Sequence, residues 1–393
     1  MAPDLKRLVM RHYRRIGPAL DLASRVRKDL VVPYEAYDRH NRAVEADLQR
    51  ELAAVLSAGN TFDLWSYARR FELDFAAWCD RRHGVGTSSC TAALAMTLTA
   101  LGVGPGDEVV TSAHTFIATA LAIRSVGAVP VPVDPRPLDL GLTAEAVEGA
   151  LTSRTRAVMP VHMHGHPCDI GPILDLGQAR GIPVVEDCAQ AHGARYRGRR
   201  LPAGPVGCFS FWPNKPLGGA GNGGILVTDD EDLARRVETA RDPDGGDPIV
   251  ARAGRTPGFL NSLEAALLKA RLPHLDAWLG RRARIAERYR AAFRHLDPVL
   301  PGPETESAWY SFVLRPRDRD ALKRRLARAR VESRVEYAVP WFASPTFADP
   351  PPDPARFPVA RRAAGHGLSL PVHPMLTDEE VDRVVQAVGD LRS

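Results

Sequence analysis

Lys215 lies in the run Phe209-Ser210-Phe211-Trp212-Pro213-Asn214-Lys215-Pro216-Leu217-Gly218-Gly219 and is one of only five lysines in a chain with 52 Lys plus Arg. Arg serves for positive charge almost everywhere else, so a Lys between an aromatic run and glycines points to chemistry that Arg cannot do. An amine can lose its proton and form a Schiff base, whereas a guanidinium effectively cannot. Lys6, Lys28, Lys269 and Lys323 lie in charged, helix-like stretches and read as solvated surface. Upstream, Asp187 ends the strand-like run Ile182-Pro183-Val184-Val185-Glu186, the edge at which open α/β sheets place groups that contact ligands. A helix-capping Asp is the plainer alternative. The turn Gly86-Thr87-Ser88-Ser89-Cys90-Thr91 precedes a helix beginning near Ala92, where backbone N–H groups and the helix dipole converge on an anion site; a Ser/Thr cap without ligand is the alternative there.

These residues need a sheet to hold them. From Gly84 to about Thr228 short apolar strands alternate with helix-length segments, the pattern of a mostly parallel sheet. The strands are expected at 108–110, 129–133, 157–161, 184–186, 208–211 and 224–227, with helices at 91–101, 117–126, 143–151 and 170–180 between them. Apolar positions at helical spacing, Val44, Leu48, Leu52, Val55 and Leu56, predict a helix that stops at Gly59-Asn60; a second runs from about Trp65 to Trp78. Beyond a polar loop at 242–256, a long amphipathic stretch at 263–296 carries Pro273 as an interruption. Strands near 309–314 and helices near 319–330 and 378–391 complete a smaller α+β unit, with a Pro-rich loop at 349–358. The expected division is a helical N-terminal extension (1–60), a large domain (61–245) and a C-terminal small domain (246–393).

Composition narrows the function classes. No apolar run approaches the roughly 20 residues that span a bilayer, and Met1 to Arg15 lack the apolar centre of a secretory signal, so the expected location is the cytoplasm, away from membranes. Five cysteines without CxxC spacing are expected as reduced thiols, with no metal site. The net charge of +5 is dispersed among carboxylates, with no basic stripe carrying interleaved aromatics. It fits an anionic small molecule at least as well as nucleic acid, and no nucleic-acid partner is expected. Arg11, Arg14 and Arg15 read as a solvated helix face, with contact to an anionic partner as the alternative.

In order along about 50–390, the chain carries Phe71-Glu72, Ser89-Cys90-Thr91-Ala92-Ala93-Leu94, Gly104-Pro105-Gly106-Asp107-Glu108-Val109, Thr115-Phe116-Ile117-Ala118-Thr119, Gly127-Ala128-Val129-Pro130-Val131, Glu186-Asp187-Cys188-Ala189-Gln190-Ala191-His192-Gly193-Ala194, the Lys215 run and Leu368-Ser369-Leu370-Pro371. This ordered set resembles the DegT/DnrJ/EryC1/StrS family of pyridoxal-phosphate aminotransferases. The resemblance implies an α/β fold of aminotransferase fold type I: a mostly parallel sheet in the large domain and a smaller α+β C-terminal domain. It implies pyridoxal 5′-phosphate as cofactor, held on Lys215 as a Schiff base, with Lys215 then moving a proton as base. Asp187 would pair with the ring nitrogen, Cys90, Thr91 and Ser210 would contact the phosphate, Phe116 would stack on the ring, and Gln190 would reach the ring hydroxyl. His192 is either a packed turn residue or a further contact. The implied reaction moves an amino group from glutamate or glutamine to a keto sugar, nucleotide keto sugar or keto-cyclitol. The implied assembly is a homodimer with active sites at the subunit interface.

The chain leaves the family pattern at three places. Pro257-Gly258-Phe259 stand where an Asn-x-Arg element is usual, with Asn261 a displaced candidate for its Asn. Asn222 replaces an acidic residue before paired glycines, and Glu336-Tyr337-Ala338 replace a frequent His-Tyr-Pro. Loss of cationic or amide contacts would weaken a diphosphate clamp and leaves a smaller ketone open. Two other readings stay in view: a pyridoxal-phosphate enzyme of the same fold that eliminates, cyclises or oxidises, and a regulator that binds the cofactor without turnover.

Overall fold

The computed structural model describes residues 32–242, 258–344, 346–347 and 352–389. The basic N-terminal stretch, most of the loop at 242–256, Pro257 and part of the Pro-rich loop lie outside them. Three helices open the described chain: α1 (Tyr37–Ala43), α2 (Glu45–Leu56) and α3 (Thr61–Trp78). Asn60, expected to end a helix, instead begins one, its side chain accepting the Asp63 N–H at 3.0 Å as the α3 N-cap.

Seven strands form the central layer: β1 (His83–Thr87), β2 (Glu108–Ser112), β3 (Val129–Val133), β4 (Thr155–Met159), β5 (Glu186–Asp187), β6 (Val206–Ser210) and β7 (Gly224–Thr228). Their order is β3-β2-β4-β5-β6-β7-β1, with β4 joined to β5 through the bridges Val158 to Val184 and Val161 to Asp187. All neighbours run parallel except β7, which is antiparallel to both β6 and β1. The sheet is thus mostly parallel, and the C-terminal ends of β5 and β6 lie side by side, bringing Asp187 and the chain leading to Lys215 to one edge.

Sequence reading began the turn at Gly86, but β1 carries the strand through Thr87. Two glycines in five residues are poor strand formers, but a Cβ at Gly84 would lie 2.4 Å from the Glu72 carbonyl oxygen, so the close approach of α3 selects glycine there. Glu72, 3% exposed, locks the join: one carboxylate oxygen accepts the Gly86 N–H at 2.8 Å and Arg241 at 2.6 Å, the other Arg69 at 2.9 Å.

Period-2 alternation divides the buried side chains between the two faces of the sheet. Ile225 and Val227 join Phe71, Phe75 and Phe211 on one face, while Leu226 joins Leu94, Val237 and Ile123 on the other. Phe75 meets Phe211 edge-on at 5.2 Å, a favoured aromatic geometry. The second face is covered by α4 (Cys90–Ala100), α5 (Ile117–Ser125) and α7 (Glu231–Arg241), the label α6 being given to Ile170–Arg180. Since α4 is sheathed by strands and helices, it is apolar all round.

The amphipathic stretch after the loop divides at Pro273 into α8 (Ser262–Arg271) and α9 (Leu275–Ala292), linked by one 3₁₀ turn. Helix α8 packs on α2 and α3 and contributes Ala265, Ala266 and Leu268 to the first core. Further on, β8 (Phe312–Leu314) pairs antiparallel with β9 (Leu368–Leu370), and α10 (Arg319–Arg328) and α11 (Asp378–Gly389) enclose a separate core with α9. Val32 extends this unit as a parallel bridge to Val331. Among the described residues, no helix is long and apolar enough to cross a membrane.

Candidate active site

Asp187 is 4% exposed at the end of β5. One carboxylate oxygen accepts the Thr119 hydroxyl of α5 at 2.9 Å and the other the Ala189 N–H at 3.1 Å. Burial raises its pKa, against the pull of those two hydrogen bonds and of Lys215. Across the cavity, a turn closed by the Lys215 N–H on the Trp212 carbonyl at 2.9 Å carries Lys215 away from β6. Its Nζ lies 4.4 Å from the centre of the Tyr310 ring. Burial lowers the pKa of this amine, while Glu336, Cys90 and Asp187 oppose that shift.

The lowered amine pKa has a sign that can be tested on protein without cofactor. Between the lowered value and the ordinary 10.5 the unfolded chain holds a proton that the fold has released, so this group's contribution to stability is full above 10.5 and is lost as pH falls through the lowered value. Cofactor-free Lys215→Met protein lacks that dependence. Its melting temperature relative to wild type is expected to be highest near neutrality and to fall as pH rises toward that limit. Calorimetry across that range checks it, and a pH-independent difference would contradict the burial argument.

The third wall is the start of α4. Ser89 caps the helix by accepting the Ala92 N–H at 3.1 Å, and Cys90 and Thr91 face the cavity. Gly224 makes this possible: a Cβ there would fall 2.3 Å from the Cys90 backbone nitrogen. Because backbone cannot give way as a flexible side chain can, Gly224→Ala is expected to push β7 from the helix terminus. We expect at least about tenfold weaker cofactor binding, the scale of one displaced charge-assisted hydrogen bond, read by titrating the cofactor into protein whose circular dichroism stays native. Ser210 pairs in register with Gly224 and lines the same cavity, 9% exposed.

These residues surround one cavity of about 670 Å³. Phe116 also lines it, 54% exposed, as the residue that precedes α5. Gln190 reaches it too, but its amide is engaged by protein, accepting the His164 N–H at 2.7 Å and donating to the Tyr337 hydroxyl at 2.8 Å. His192 stands apart as a packed residue, fully buried against Phe75 and Phe209, with burial first among the causes that push its pKa down to about 3. Asn261 caps α8, its side chain accepting the Glu264 N–H at 2.8 Å.

Sequence reading marked Glu336 and Tyr337 as a departure from the family's His-Tyr-Pro, and both line the cavity; it missed Tyr310, and Lys323, expected on solvated surface, lines the cavity while exposed. No local pattern marks Tyr310, because the small unit brings it in from far along the chain. His162, Glu186 and Cys188 place potential metal-binding atoms within 4.8 Å of one another. Two of them share a hydrogen-bond set: His162 Nδ1 accepts the Cys168 N–H at 3.2 Å, so Nε2 carries the proton donated to Glu186 at 2.9 Å, while Glu186 also accepts two backbone N–H groups. All five cysteines are buried free thiols.

A buried carboxylate, an amine of lowered pKa and an open helix N-terminus around one cavity suit a cofactor with a basic ring nitrogen, a carbonyl and a phosphate. The model of the DegT/DnrJ/EryC1/StrS aminotransferase family matches residues 43–389. The chain belongs to that family. It is an aminotransferase with the family's α/β fold. It is 44% identical over 320 residues to the erythromycin biosynthesis sensory transduction protein EryC1 of Saccharopolyspora erythraea, covering 80% of this chain and 87% of that one. With a dTDP-3-amino-3,4,6-trideoxy-alpha-D-glucose transaminase of Streptomyces venezuelae it shares 40% identity over 363 residues, 91% of this chain and 96% of the relative. The crystal structure of DesV of S. venezuelae in complex with a ketimine intermediate superposes with a TM-score of 0.87 at 38% identity, covering 92% of this chain and 99% of DesV.

Proposed function

We propose that the chain uses pyridoxal 5′-phosphate to move an amino group from glutamate or glutamine to a keto sugar, carried on a nucleotide, in secondary-metabolite biosynthesis. The carrying observation is the placement of Lys215 and Asp187 around one cavity in a chain 40% identical over nearly its whole length to a nucleotide-sugar transaminase. When bound, the cofactor supplies a carbonyl to carry the amino group and an electron-withdrawing ring. Lys215 holds it covalently through Nζ and, once displaced by an incoming amine, holds and returns the proton at that nitrogen. Asp187 keeps the ring nitrogen protonated, its carboxylate oriented by Thr119 and Ala189. Cys90 and Thr91 at the start of α4, with Ser210, receive the phosphate, and Phe116 covers the ring face. His192 holds the aromatic packing behind the site.

The expected homodimer belongs to this proposal. Trp65, 54% exposed, lines a groove in which its ring lies 4.8 Å from that of Phe259, and these exposed aromatics, ringed by charged residues, suit contact with a second subunit. Sedimentation of the purified chain tests it, and a monomer that turns over would remove it.

The reaction is tested by mixing the loaded protein with glutamate or glutamine and a panel of nucleotide-linked keto sugars. The visible-edge absorbance of the Lys215-bound cofactor is expected to fall on adding donor and to return on adding the right ketone. A second reading, a regulator that binds cofactor without turnover, is favoured by the sensory-transduction name of the S. erythraea relative. It predicts that the absorbance stays lowered after every ketone and that no amino sugar forms.

A further inference from the structure

The proposed chemistry leaves one carboxylate in the cavity unused. Glu336 lines the same cavity as Lys215, with its side chain 11% exposed. Lys215 Nζ rests on the Tyr310 ring, and the next residue, Ser311, donates its hydroxyl to Glu336 Oε2 at 3.0 Å. The other oxygen, Oε1, accepts the Tyr34 hydroxyl at 3.0 Å. His164 Nδ1 lies 3.8 Å from Oε2, beyond hydrogen-bond range. Each carboxylate oxygen therefore has one protein donor and capacity for another.

This wall is fixed from outside the cavity. Residues 32–35 run along 330–336: the Val32 N–H donates to the Arg330 carbonyl at 3.1 Å and the Glu332 N–H to the Val32 carbonyl at 3.0 Å. The Tyr34 N–H donates to the Glu332 carboxylate at 2.8 Å, and Arg334 stacks on the Tyr34 ring at 4.4 Å while donating to Glu35 at 2.6 Å. Two chain segments nearly 300 residues apart thus hold one acceptor-only group at a set place. Such a group binds a hydroxyl or ammonium and repels a carboxylate. An amino-acid donor must turn its carboxylates away from this wall, whereas a sugar ring offers hydroxyls to it.

We propose that Glu336 selects the acceptor: its carboxylate takes a ring hydroxyl of the ketone, with Tyr34 and Ser311 as positioning residues, so that a neutral keto hexose is preferred to the corresponding keto-uronate. This rests on the keto-sugar reading above. Burial raises the pKa of Glu336, and the bonds from Ser311 and Tyr34 and the charges of Lys215 and Arg334 pull it back toward the ionised form.

The experiment compares wild type, Glu336→Gln and Tyr34→Phe as full-length, cofactor-loaded protein with a nucleotide-linked neutral keto hexose and its keto-uronate counterpart. Glu336→Gln is expected to lower kcat/KM for the neutral sugar on the order of ten- to a hundredfold, mostly through KM, the range for a hydrogen bond to a charged group. It should raise kcat/KM for the uronate about tenfold by removing a like charge. The donor half-reaction, followed by absorbance after glutamate is added, should change far less. Tyr34→Phe should shift both sugars in the same directions by a smaller factor. By calorimetry on cofactor-free protein, the affinity for the neutral keto hexose should fall in the same order. Equal losses in the donor and acceptor half-reactions, or an unchanged preference between the two sugars, would overturn the assignment. Wild-type protein that aminates neither sugar would instead overturn the keto-sugar reading, and the selector role with it.

Discussion

Lys215→Ala protein is expected to lose turnover by at least about 10³-fold, because one side chain supplies both the covalent tether and the proton-moving base, and base catalysis alone is worth roughly 10²–10⁴. The geometry explains why no neighbour can replace it. Among the other lysines, Lys269 pairs with Glu51 at 3.4 Å and lies over the Tyr67 ring, away from the cavity. Lys323 reaches the cavity from α10 but remains exposed to solvent, unlike the buried Lys215. The variant should still bind the cofactor through the α4 terminus and Asp187, since those contacts are untouched. Its absorbance should be that of free rather than Lys-bound cofactor. Added methylamine, a small amine that can enter the vacated space, should restore a fraction of the rate. Lys215→Ala protein that completes many turnovers unaided would remove Lys215 from the chemistry.

Asp187→Ala is the second large effect, with an expected fall in kcat on the order of 10²–10³, the size seen when a preorganised electrostatic partner is removed from a reacting system. The carboxyl group is 4% exposed and held by two donors, so its orientation is fixed before any ligand arrives. Asp187→Asn separates charge from shape: it can keep the Thr119 contact but offers no negative charge to a ring nitrogen. Both variants should retain the Lys215-bound absorbance while losing rate, and single-turnover kinetics with the donor would show it. A rate in Asp187→Asn within about threefold of wild type, well inside the range set by that electrostatic loss, would mean that the charge is not used.

Much of the fold was legible because its strands are short apolar runs and its helices carry apolar residues at helical spacing: the segment at 129–133 and the helix at 170–180 coincide with the structure. His83–Thr87 was not legible as a strand, since its glycines answer to α3 packing rather than to strand propensity. Asp187 and the Lys215 turn were recognisable from their positions at strand ends. Tyr34 was not, because its place beside Glu336 depends on a bridge between residues 32 and 331 that no local spacing encodes; Glu336 stood out only as a departure from the family's His-Tyr-Pro. Gln190 shows the same limit: its place was readable, its engagement by Tyr337 was not.

Transfer of the amino nitrogen itself tests the central claim most directly. Purified protein loaded with pyridoxal phosphate, given ¹⁵N-labelled glutamate and a nucleotide-linked keto hexose, should form ¹⁵N-amino sugar mole for mole with 2-oxoglutarate over many turnovers, as mass spectrometry would record. Consumption of the ketone without nitrogen entering the product, or 2-oxoglutarate limited to a single equivalent per site whatever ketone is supplied, would contradict it.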